Sequence, residues 1–176
     1  MLTITEGLAE VKTITARILK RQEAVLRYLA RDARLRDPLE AEGGSVEFVR
    51  RERQAVGDLG ERLVRIRTAI QVANQTVDLT VAGKTRTVAE WLNWRRELSA
   101  TQKAFLGQLA NTMTQARAQA AKQGTRVTGE ADAKPGDFII ALSETELARE
   151  IEEIETILGE LDGKLSLMNA THSIDL

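Results

Sequence analysis

The chain contains no cysteine, which excludes a disulfide scaffold and every Cys-based zinc or redox site. It has one histidine, so two imidazoles from one chain cannot meet at a metal. Aromatic residues are 3% of the total, which leaves packing to Leu, Ile, Val and Ala. Proline occurs twice, leaving long stretches without a helix breaker. No apolar run approaches the ~20 residues that span a bilayer. The N-terminal MLTITEGLAEVK has an early acid and no basic segment ahead of an apolar one, so it does not read as a signal peptide. A protein used without export and without a membrane is expected, and no cofactor or metal.

What remains is an aliphatic, charge-rich chain of 176 residues, 43% apolar and 29% charged, a balance that suits long amphipathic helices. Net charge is −1, but it is unevenly placed. Residues 1–70 and 71–136 are both basic on balance, while residues 137–176 hold the acidic surplus. The C-terminal segment is thus an acidic partner for the rest of the chain or for another copy of it. Arginine clusters (RRERQ, RLVRIR, WRREL) are assigned to that pairing rather than to nucleic acid, which wants a strongly basic or aromatic-interleaved face.

Four helices are expected, over about 3–36, 45–76, 88–123 and 143–169. In the first, Ile4, Leu8, Val11, Thr15, Ile18, Gln22, Val25 and Leu29 repeat every seven residues, as in a helix packed on other helices. Thr3 with Glu6 forms a capping box at its start. Pro38 and Gly43-Gly44 mark the break, and Ser45 is the expected N-cap of the second helix. That helix runs its seam through Val49, Glu52, Val56, Leu59, Leu63, Ile66, Ile70 and Ala73. Gly57 and Gly60 in its middle suggest close helix approach or a hinge. Thr87 with Glu90 opens the third helix, whose seam is Leu92, Leu98, Phe105, Leu109 and Ala116. Ser143 with Glu146 opens the fourth, with the seam Leu147, Ile151, Ile154, Leu158, Leu161, Leu165 and Met168.

Between the second and third helices, VDLTV and TRTV flank Ala82-Gly83, which reads as a β-hairpin over about 77–87. A second hairpin is expected over about 125–141. Short connections make sequential helices antiparallel. The expected architecture is a mainly α, elongated antiparallel four-helix bundle or coiled coil, one domain over 1–176, with the β-hairpin at one end. The tail SIDL would arrive at that end and supply a third strand, in its own chain or in a neighbour's, with Trp91 and Trp94 covering the apolar face of Val77, Leu79, Val81 and Ile174.

No pattern reaches the strength of a catalytic signature. AGKT at 82–85 resembles the tail of a phosphate-binding loop, but Asp78 stands where its first glycine belongs and a strand follows instead of a helix. The acidic run SETELAREIEEIE lacks the glycine-bearing loop of a calcium hand. It reads as a solvated face, with Glu144 and Glu146 favoured by the helix dipole.

The segment IRTAIQVANQTVDLTVAGKTRTVAEWLNWRR (66–96) resembles a family of bacterial and phage-borne helical proteins sometimes labelled septicolysin-like. That family pairs a long helical hairpin with an Asn-x-Thr helix end, a short β segment, and a Thr-x-x-Glu start followed by paired basic residues. The family has no established activity, so the resemblance implies a fold and lends no site residues.

The function expected is structural: a non-enzymatic assembly protein acting through protein–protein contacts, such as an auxiliary head, neck or tail protein of a phage virion. The alternative is a cytoplasmic helical adaptor or regulator. The expected interface gathers Val77, Leu79, Val81, Trp91, Trp94, Ile174 and Leu176, engaging a second copy or other virion proteins.

Overall fold

The computed structural model describes residues 1–176 and is mainly α with short strand pairs. The chain divides into two compact units, residues 1–76 with 166–176 and residues 77–165. No helix is long and apolar enough to cross a membrane.

The first unit is built on two helices, α1 (Ile4–Tyr28) and α2 (Gly44–Thr76). The Thr3 hydroxyl accepts the Glu6 N–H at 3.2 Å, and the Glu6 carboxylate accepts the Thr3 N–H at 2.8 Å, completing the expected capping box. Strand β1 (Leu2–Thr3) pairs antiparallel with β6 (Ser173–Ile174). The tail is therefore the partner of the N-terminus, which corrects the expectation that it extends the hairpin. A hydrogen bond from Ile4 N–H to the His172 carbonyl, 3.1 Å, continues that pairing.

α1 ends at Tyr28, short of the expected end near 36. The linker is organised around Asp37. Its carboxylate accepts the Leu39 N–H (2.9 Å), the Ser45 N–H (2.9 Å) and the Ser45 hydroxyl (2.6 Å), with Arg31 at 3.3 Å. Four donors on one carboxylate favour its charged form, led by the Ser45 hydroxyl, and hold Asp37 down to about 2. Ser45 is thus inside α2 and donates to Asp37, where an N-cap at Ser45 was expected.

The seam of α2 follows the expected positions, but that of α1 does not. Its buried residues are Ile4, Gly7, Val11 and Ile14, while Leu8, Leu19, Leu26 and Leu29 are exposed. Every second position of the expected repeat is displaced by one residue, from Leu8 to Gly7 and from Thr15 to Ile14. Glycine sets the phase. A Cβ at position 7 would lie 3.0 Å from Ile174 Cδ1 and 3.4 Å from Ile66 Cγ2, so a leucine cannot occupy the place where these two isoleucines close on the helix. Farther along, Arg21 meets the seam residue Glu52 at 2.5 Å, and Tyr28 packs edge-on to Phe48 at 5.3 Å.

The second unit begins with the hairpin of β2 (Asp78–Val81) and β3 (Lys84–Thr87), with Val81 opposite Lys84. Ala82 and Gly83 both have positive φ, 47° and 74°, as a tight two-residue hairpin turn requires. The third helical run is α3 (Val88–Asn93), a π-helical turn (Trp94–Ser99) and α4 (Ala100–Gln123). The π turn inserts one residue into the repeat. Leu98 and Phe105, in phase with Trp91 by steps of seven, are therefore exposed, and the buried line becomes Ser99, Leu106, Met113 and Ala120.

Strands β4 (Val127–Thr128) and β5 (Phe138–Ile139) pair parallel, correcting the second hairpin. The connection makes a 3-10 turn at Glu130–Asp132 and turns again at Gly136, φ 96°. Arg126 ties the return by donating to Asp137 and to the Asp132 carbonyl, both at 3.0 Å. The chain consequently re-enters in its original direction. α5 (Glu144–Thr171) starts at the expected Ser143–Glu146 box and keeps its expected seam, with Ile157 added to the buried residues.

Candidate interaction surfaces

The residues expected to form an interface fall in two places. Val77, Leu79, Val81, Trp91 and Trp94 belong to residues 77–165, and Ile174 and Leu176 to the other unit. At the hairpin, Trp91 is 1% exposed and donates its indole N–H to the Leu79 carbonyl at 2.9 Å. Val81 is fully buried, and Val77 accepts the Val88 N–H at 2.9 Å through its carbonyl. Trp94 stands edge-on to Trp91, centroids 5.7 Å apart, and the Arg86 guanidinium lies 4.9 Å from the Trp91 ring. These contacts make a small aromatic core between hairpin and helix, in which Trp91 is internal and Trp94 only half-buried.

Acidic groups of α5 fasten this corner. Glu160 accepts the Ala82 N–H at 2.8 Å, and Lys164 donates to the Thr80 carbonyl. Lys84, the lysine of AGKT, is paired with Glu153 at 2.7 Å. Hydrogen bonding to Lys84 lowers the Glu153 pKa, and hydrogen bonds from Lys164 and then Ala82 lower that of Glu160. Arg95–Asp162 (2.8 Å), Lys103–Glu155 (3.2 Å) and Arg117–Glu144 continue the pattern along α5. Much of the acidic surplus of the C-terminal segment is thus paired within the chain, while Glu150, Glu152 and Asp175 make no ion pair.

In the first unit, Ile174 is buried over Gly7, and Leu176 keeps about half of its surface. The tail from His172 to Leu176 borders a groove of about 510 Å³ with Val64, Thr68 and Val72 of α2. The groove is open, and Arg65, His172, Ser173 and Asp175 line it beside the apolar side chains. No group of three or more His, Cys, Asp or Glu side chains is placed to hold a metal ion.

Exposed apolar side chains also lie outside the expected interface. They are the leucines of α1 outside its seam, with Val46 and Val64 of α2, and the displaced line of Leu98 and Phe105. The available signal was the width of the apolar arc on α1, which supports two heptad phases where one seam needs a single phase. In comparison with known proteins, the chain matches no protein-family model, no curated protein and no solved structure.

Proposed function

We propose that this is a structural protein that works by protein–protein contact, as an auxiliary head, neck or tail component of a phage virion. The observation that carries the reading is the leucine-rich surface of α1, where Leu8, Leu19, Leu26 and Leu29 all face solvent. Several large apolar side chains along one side of one helix exceed the scattered single exposures usual on a folded chain, and such surface marks a contact site. The exposed line of Leu98 and Phe105 in residues 77–165 supports it independently. Such a protein acts in the assembled particle and carries out no catalytic step. Native mass measurement tests the reading: a fixed oligomer is expected, whereas a monomer at every concentration favours an adaptor that engages its partner transiently.

A further inference from the structure

The α1–α2 pair has two unlike faces. One is polar, with Glu10 and Arg62 paired across it at 3.0 Å. The other carries Leu8, Leu19 and Leu26 from α1 and Leu29 from its C-cap, with Val46 and Val64 from α2, each between 48% and 82% exposed. Helix geometry puts these residues on the same side. Leu8 and Leu29 step by sevens one position beyond the Gly7 line, and Leu19 and Leu26 lie beside them. Gln22, Leu26, Arg53 and Val56 line a common groove of about 420 Å³ there.

Gly57 and Gly60 lie in the middle of α2 near this face, and a Cβ at either would meet nothing within 4 Å. Close packing inside the chain therefore does not explain them, although glycine weakens a helix interior. α2 runs unbroken through both, so no hinge is formed there.

We propose that this face binds the same face of a second copy of the chain, a reading that rests on the assembly role above. The six side chains expose on the order of 600 Å² per copy, so a symmetric pair would bury on the order of 1,200 Å² from them alone, the lower bound of a stable specific interface. A two-fold interface requires a patch complementary to itself. Here the leucine ridge of α1 lies beside the flattened Gly57–Gly60 strip of α2. One rotation thus seats each copy's ridge against the other's strip.

The test is the mass of the full chain across a concentration series, for wild type, Leu26→Lys and Val46→Lys. Both side chains are mostly in solvent, Val46 at 82%, so the fold is retained, as circular dichroism will show. The expected result is an associated wild type and at least tenfold weaker association in each variant. If wild type associates and both variants match it, this face is not the contact and the proposal falls while the assembly role stands. A wild type that is monomeric throughout overturns both.

Discussion

In residues 1–76 with 166–176, α1 and α2 meet along a heptad seam interrupted by one ion pair, Arg21–Glu52, and closed at the end by Ile174 over Gly7. In residues 77–165, α4 and α5 share a small cluster around Leu106, Met113 and Leu147, while the hairpin corner rests on Trp91 and Val81. The rest of that unit is tied by exposed lysine and arginine pairs to the acids of α5. Both solutions hold a helix pair, but they differ in what they leave outside. A seam that uses one phase of a two-phase helix leaves a leucine face uncovered. A corner built from one buried indole and several polar ties consumes most of its aromatic surface internally.

This contrast can be broken by mutation, beginning with the largest effect. Leu161 is fully buried, and Leu161→Ala should destabilise residues 77–165 by about 2–5 kcal/mol through lost transfer energy and a cavity. Urea unfolding followed by tryptophan fluorescence reads this directly, because both tryptophans lie in that unit. A loss under 1 kcal/mol would mean that apolar burial does not hold the corner.

Gly7→Leu should cost the other unit about 1–3 kcal/mol by overpacking against Ile174 and Ile66. Circular dichroism in urea should show it. A neutral result would return α1 to the phase with Leu8 inside.

Acid distinguishes the linker from the seam. The folded pKa of Asp37 is depressed to about 2 from an ordinary 3.8. Its contribution is therefore present above the unfolded value and lost as pH falls from roughly 4 to 2. Wild type should lose stability across that window, and Asp37→Asn should lose less, measured by thermal melts at several pH values. Equal acid sensitivity would remove Asp37 as the organiser of the linker.

The smallest effect belongs to the ion pairs. Lys84 and Glu153 each keep about half of their side-chain surface in solvent, so Glu153→Ala should cost far less than Leu161→Ala, and less still at high salt. A loss equal to that of Leu161→Ala would make polar ties, rather than burial, the basis of the second unit.

Features whose causes lie within a few residues can be read from the amino-acid order alone. The three capping boxes were legible because a hydroxyl and a carboxylate three positions apart can satisfy each other's backbone donors without outside help. The hairpin was legible from β-branched runs around Ala82-Gly83, and the seam of α5 from an apolar repeat with one dominant phase. Long-range contacts select among local choices that are nearly equal. α1 offers two apolar phases, and the approach of Ile174 and Ile66 to Gly7 selects one. The π turn at Trp94–Ser99 shifts α4 by a residue, a change no heptad count contains. The parallel pairing of β4 with β5 brings Arg126 to Asp137 across the connection, and SIDL takes its place by meeting Leu2–Thr3 at the far end of the chain. A pattern within a window cannot rank such contacts, because their energies come from residues brought together only by the fold.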